Sequence, residues 1–157
     1  MDRIPMTAGG LQQLEDELRL LKDVERPAVT QAIGIAREHG DLKENAEYHA
    51  ARERQSFIEG RVLELEAIIS HSEVIDPAKL SGDMVRFGAT VLLIDEETEE
   101  EKTYQILGEH EADLKNGTIS IGSPLARQII GRNLGDSIEV KAPGGSKYYE
   151  IVKVDYK

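Results

Sequence analysis

Asp41 and Glu44 stand three residues apart in the stretch REHGDLKENAEYHAARE, residues 37 to 53. Two carboxylates one helical turn apart are hard oxygen donors that can hold a divalent cation weakly. Magnesium takes one or two protein carboxylates and leaves its other positions to water or phosphate oxygens. Such a pair is therefore half a site, useful when a second molecule supplies the remaining ligands. The chemistry open to it is metal-assisted attack of water on a phosphodiester. The same letters also spell a capping box, in which Asp41 accepts from the amide of residue 44 and Glu44 reaches back. Spacing alone leaves both readings open.

The histidines nearby do not make a zinc site. His39 and His49 flank the turn, but no His-Glu-x-x-His and no cysteine completes a tetrahedral set. His71 and His110 stand alone. Arg37, Lys43, Arg52 and Arg54 alternate with acids around the pair. A cluster of that kind is usually a solvated face of i,i+4 pairs, yet it is also where a nucleic-acid strand would be held.

The elements that must position these residues are helices. Leu11, Leu14, Leu18 and Leu21 follow a 3-4-3 seam that continues more loosely through Ala28, Ala32 and Ile35. A second seam runs through Tyr48, Ala51, Gln55, Ile58, Val62, Leu65 and Ile69. Between them HGD reads as a stop and restart, with glycine ending one helix and aspartate capping the next. The product is an antiparallel helical hairpin over residues 1–75 with an acidic tip at 40–45. At 1.5 Å per residue, an arm from Thr7 to His39 spans roughly 50 Å, so its outer part should project into solvent. Pro27 should kink or interrupt the first helix, Gly34 weakens it, and Glu25 falls where the seam wants an apolar residue. A dimerisation coiled coil satisfies the same spacing.

After a linker at 76–83 the period changes. MVRFGATVLLID, KTYQILG, GTISIG, DSIEVKA and KYYEIVKVDY read as strands parted by Gly, Pro, Asn and Asp. SPLARQIIG, residues 123 to 131, reads as one short helix with Ser123 as N-cap, Pro124 in the first turn and Gly131 past its end. Residues 84–157 thus form a small β-sheet domain with one helix, and the fold class is α+β. The acidic run DEETEEE reads as a solvated loop between strands, and APGGSKY as a hairpin turn.

Composition narrows the partners. With 30 acidic against 19 basic residues the formal net charge is −11, which excludes a general nucleic-acid coat protein. Contact with RNA or DNA must be local, through a few placed cations. Aromatic residues make up only 4%, too few for a stacking platform. There is no cysteine, no apolar run long enough to cross a bilayer and no secretory layout at the start. A cytoplasmic protein without membrane contact is the expectation.

Five stretches carry a family resemblance: IPMT near the start, REHGDLKENAEYHAARE at the turn, VIDP in the linker, GSPLARQIIG, and the closing APGG and YEIVKV. Over essentially the whole chain they resemble the GreA/GreB family of bacterial transcript cleavage factors. The resemblance implies a C-terminal domain folded like the FK506-binding proteins (FKBP-like) that docks on bacterial RNA polymerase at the rim of its secondary channel. It implies that the coiled coil enters this channel and brings the tip to the active centre, where backtracked nascent RNA is cut near its 3′ end. Asp41 and Glu44 match the metal-positioning acids. No cofactor would be bound stably by the chain alone, the Mg2+ being shared with the polymerase active site. Arg37 and Arg52 match the family's RNA-contacting basic patch; Lys43 and Arg54 join them by proximity. Ser123 and Pro124 match the docking loop. The intact GDLKEN favours activating over inhibitory relatives, and the small basic cluster favours the GreA-like branch. The chain is then a non-enzymatic, monomeric cofactor, with any DNA contact indirect. Prolyl isomerase activity is not expected, for want of an aromatic pocket. The alternatives are a channel-binding regulator whose tip acids do nothing, and a self-associating coiled-coil adaptor.

Overall fold

The leucine spacing near the start of the chain becomes a helix, α1, over Ala8–Leu20 in the computed structural model, which describes residues 2–157. The chain packs as two units, Leu11–Ser72 and, separately, Arg3–Gly10 with Glu73–Lys157.

In the first unit α1 runs into a π turn over Leu21–Glu25, then α2 over Arg26–Arg37, a loop, and α3 over Ala46–Ser70. The seam of the first arm departs from the expected one. Ala28, Ala32 and Ile35 are exposed, and Val29, Ile33 and Ala36 are buried in their place. The cause is local. The Arg26 amide donates to the Leu21 carbonyl, five residues back, so the π turn carries one residue more than an α turn. Every later seam position therefore moves one residue along. Pro27 explains why the wide turn sits there: it has no amide to donate, and its ring would clash with the carbonyl four residues earlier in a regular helix. The expected interruption near Pro27 is this π turn.

Opposite it, α3 buries Ile58, Val62, Leu65 and Ile68, while Tyr48, Ala51, Gln55 and Ile69 are half-buried. Each fully buried aliphatic side chain contributes about 1.5–3 kcal/mol, so this seam supplies most of what holds the arms together. A ladder of ion pairs fixes the antiparallel register. Arg61 donates to both oxygens of Glu17 at 2.6 and 2.9 Å, and Arg26 to both of Glu59 at 2.9 and 2.8 Å. Lys22 meets Glu66 at 2.8 Å and Arg54 meets Glu25 at 3.2 Å. Glu25, out of place on an apolar seam, is thus explained as a partner for Arg54.

The second unit takes in residues 3–10 and 73–83 as well as the β-rich stretch. Strand β1 (Ile4–Met6) pairs with β2 (Ser72–Val74), and the Ile75 amide donates to the Met6 carbonyl at 2.8 Å. Thr7 then caps α1 by accepting from the Gly10 amide at 3.1 Å. Glu111 holds this entry point, accepting from the Thr7 hydroxyl, from the Thr7 amide at 2.9 Å and from the Gly108 amide at 3.1 Å. The five remaining strands are β3 (Thr90–Asp95), β4 (Glu101–Leu107), β5 (Thr118–Ser120), β6 (Ser137–Ala142) and β7 (Gly145–Asp155), with α4 at Pro124–Ile129. They form one sheet in the order β5-β4-β3-β7-β6, antiparallel except for β4 with β5. Its core gathers Val91 and Leu93 of β3, Ile106, Ile119, Ile138 and Ile151 with Ala126 and Ile129 of α4. The acidic loop after β3 is pinned by Asp95, whose buried carboxylate accepts from the Glu97 and Thr98 amides at 2.9 and 3.2 Å. Those two bonds hold its pKa below the ordinary aspartate value.

Candidate functional site: the acidic turn of the hairpin

The turn begins where α2 runs out. Glu38, His39 and Gly40 donate their amides three residues back, to Ile35, Ala36 and Arg37, which tightens the last turn. Gly40 takes a left-handed φ of 85°, a conformation cheap only for glycine and close to it for Asn or Asp. The chain then crosses Asp41 to Glu44 before α3 begins.

The capping box does not form. The N-cap of α3 is Asn45, whose Oδ1 accepts from the Tyr48 amide at 3.0 Å. Asp41 lies four residues before it and accepts only from the Lys43 amide, at 3.2 Å, closing a small Asx turn. Glu44 makes no side-chain hydrogen bond among the described residues. Asn45 prevails because the residue directly preceding the helix is the one whose side chain reaches the free amides of the first turn.

With neither acid serving as a cap, both carboxylates are exposed and line one open concavity of about 410 Å³ with His39, Asn45, Ala46 and Glu47. His39 Nε2 stands 3.7 Å from a Glu47 oxygen on its wall. Among the described residues no Lys or Arg nitrogen lies within 4.0 Å of Asp41 or Glu44. Nor do three His, Asp or Glu side chains come together as a cation cage among the described residues. Two further side chains tie the turn down: Asn45, which spacing does not single out, and His49, which spacing raises only as a metal ligand. Asn45 Nδ2 donates to the Ala36 carbonyl at 2.6 Å, and His49 Nε2 meets the Lys43 carbonyl at 3.0 Å. An Asn directly ahead of the helical run Ala46, Tyr48 was the available signal, masked by the more conspicuous Asp-x-x-Glu.

The four candidate basic residues separate into two kinds. Arg37 in the last turn of α2, Lys43 in the turn and Arg52 in the second turn of α3 are exposed, with no acidic oxygen within 4.0 Å among the described residues. Arg54 is committed, paired with Glu25 at 3.2 Å and lying over the Phe57 ring at 5.1 Å. In the second unit Ser123 caps α4, accepting from the Ala126 amide at 3.2 Å. Pro124 follows, exposed, at the edge of a concavity of about 620 Å³ lined also by Gln128, Arg132 and residues 137–141.

The N-terminal model of a family of transcription elongation factors matches residues 4–74, and the C-terminal GreA/GreB model of the same description matches residues 80–156. The chain belongs to the GreA/GreB family of transcription elongation factors. Transcription elongation factor GreA of Cereibacter sphaeroides is 67% identical over 156 residues, 99% of each chain. The GreA of Rhodospirillum rubrum is 65% identical over the same share. A solved prokaryotic transcription elongation factor GreA/GreB from Nitrosomonas europaea is 24% identical with a TM-score of 0.45, covering 98% of this chain and 100% of that one. The acidic turn and α4 each fall inside a matched family region.

Proposed function

We propose that this chain is a transcript cleavage cofactor of bacterial RNA polymerase, with no hydrolytic activity of its own. It would dock through the Ser123–Pro124 end of α4, enter the secondary channel with its hairpin, and bring Asp41 and Glu44 to the polymerase active centre. The observation that carries this is their freedom: two exposed carboxylates line one concavity while Asn45 does the capping they would otherwise do.

The donor set fits a shared Mg2+. Asp41 and Glu44 offer two hard oxygen ligands, the number such an ion takes from one protein, and leave room for water and for ligands from the polymerase. Bound there, the ion would orient and activate the attacking water. Arg37, Lys43 and Arg52 would hold phosphates of the extruded 3′ segment of the nascent RNA, since their charges are not neutralised in the hairpin. The seam closes within one chain, α2 against α3, which supports a monomer over a self-associating adaptor. Action on polymerase also places the protein in the cytoplasm.

Asp41→Asn with Glu44→Gln tests the reading directly, because neither residue caps a helix and the fold should be indifferent. Stimulated RNA cleavage by stalled polymerase should fall to the polymerase's own basal level while competition for polymerase binding is retained. Cleavage equal to that of the parent chain refutes the catalytic role and leaves a channel-binding regulator.

A further inference from the structure

Cleavage chemistry at the turn demands that Asp41 and Glu44 hold a defined geometry, yet both side chains are exposed and the Lys43 amide on Asp41 is the one hydrogen bond either makes among the described residues. We propose that Asn45 is the positioning residue that sets this geometry, with His49 as a second clamp, an inference that rests on the function proposed above. The Asn45 amide works at both ends. Its Oδ1 accepts from the Tyr48 amide at 3.0 Å inside α3, and its Nδ2 donates to the Ala36 carbonyl at 2.6 Å in the last turn of α2. Ala36 is buried on the seam at 2% exposure, so its carbonyl is a fixed point. One half-buried side chain thereby bridges the two helix ends between which the whole loop hangs. His49 acts on the middle of that loop: Nε2–H donates to the Lys43 carbonyl at 3.0 Å, between the two acids. The ring itself is steadied edge-on against Tyr48, with centroids 5.7 Å apart.

A cap alone does not require asparagine. Ser caps about as well as Asn, but it has no second arm to reach Ala36. The bridge needs a donor and an acceptor on one planar group, which an amide side chain supplies and Ser, Thr and Asp do not. Asn45→Ser therefore separates the two roles without adding charge to the concavity. Misplacing a reacting group by about 1 Å costs on the order of 10²-fold in rate.

In the free protein, Asn45→Ser should keep the Tyr48 amide protected from hydrogen exchange and leave the thermal melt unchanged, while amides of residues 41–44 exchange faster. In stalled polymerase complexes, stimulated cleavage should fall about tenfold to a hundredfold with binding competition unchanged, and raised Mg2+ should recover part of the loss. His49→Ala should show the same pattern. His49→Gln, which restores a donor at the Nε2 position, should recover most of it. Cleavage within about twofold of the parent in both Asn45→Ser and His49→Ala, alongside a collapse in Asp41→Asn/Glu44→Gln, overturns the positioning role alone. Undiminished cleavage in Asp41→Asn/Glu44→Gln overturns the underlying function, and this inference with it.

Discussion

Deleting Val24 together with Pro27→Ala should leave the hairpin about as stable as the parent chain, whereas deleting Leu63 should destabilise it severely. Both residues are exposed, at 54% and 69%, so neither loss removes much packing. The difference is phase. Val24 lies inside the π turn, and without it the Arg26 amide reaches the Leu21 carbonyl four residues back instead of five. The turn becomes α-helical and Val29, Ile33 and Ala36 stay on the seam. Leu63 lies in a regular helix between Val62 and Leu65. Its loss rotates Ile58 and Val62 by about 100° against Leu65 and Ile68, and one of these pairs must leave the seam. At about 1.5–3 kcal/mol for each buried aliphatic, that costs about 3–6 kcal/mol. For a chain of this size each kcal/mol moves the melting temperature by about 2–4 °C, so a drop of roughly 10 °C or more is expected. Deleting Val24 with Pro27 retained should fall between, because the ring then meets the Lys22 carbonyl in a regular helix at a cost of about 3 kcal/mol. Thermal melts followed by far-ultraviolet circular dichroism report all four chains. If the Val24 deletion with Pro27→Ala melts as low as the Leu63 deletion, the π turn is not the source of the phase shift.

Acid should loosen the hairpin through Glu17, whose carboxyl is held below its ordinary pKa by the Arg61 hydrogen bonds. A carboxyl with a lower pKa folded than unfolded gives stability above its unfolded value and loses it as pH falls through the folded one. Melting temperature should then be level above about pH 5 and fall below about pH 4, and Glu17→Gln should remove part of that fall. Gly34→Ala should stabilise by up to about 1 kcal/mol in denaturant titration, since the new Cβ meets nothing within 4 Å. Gly108→Ala should destabilise by about 1–3 kcal/mol, because its Cβ would stand 2.5 Å from the Pro5 carbonyl oxygen. If Arg37 and Arg52 hold RNA phosphates, alanine at either should lower the salt slope of RNA crosslinking in polymerase complexes by about 0.7. Arg54→Ala should leave that slope unchanged.

Period and turn chemistry make the architecture legible in the sequence. Two seams with HGD between them specify a hairpin, and a Ser-Pro start with a Gly stop specifies α4, which forms with the predicted caps. What period could not show was the change of phase at Leu21–Glu25. A heptad count assumes one residue spacing throughout, and a π turn breaks that assumption without breaking the helix. Pro27 announced an interruption but not its kind. Spacing likewise assigned the cap of α3 to Asp41, because Asp-x-x-Glu fits the capping box in isolation. Which of Asp41 and Asn45 caps depends on where the helix actually starts, and starts are set by tertiary packing as much as by local signals. The N-terminal strand pairs with a partner some seventy residues away, a contact no local pattern announces.

The charge arrangement of the hairpin follows from what an exposed ion pair is worth. Residues 11–72 contain the basic residues Arg19, Lys22, Arg26, Arg37, Lys43, Arg52, Arg54 and Arg61. Along the arms Arg19, Lys22, Arg26, Arg54 and Arg61 each have an acidic partner within 3.2 Å. Arg37, Lys43 and Arg52, which bracket the turn, have none among the described residues, and of the acids between them only Glu47 has a basic neighbour, His39 at 3.7 Å. Exposed pairs contribute only about 0–1 kcal/mol each, so leaving charges unpaired here costs the fold little. At physiological ionic strength the Debye length is about 8 Å, so the chain's net charge of −11 is largely screened beyond that distance. What a strand or ion would meet at the turn is therefore the local set: three cations and the four carboxylates of Glu38, Asp41, Glu44 and Glu47, none paired with a Lys or Arg among the described residues. An arm built only for stability has no reason to pair its cations along its length and leave them free at one end; under the function proposed above, a phosphodiester with its metal ion would supply that reason.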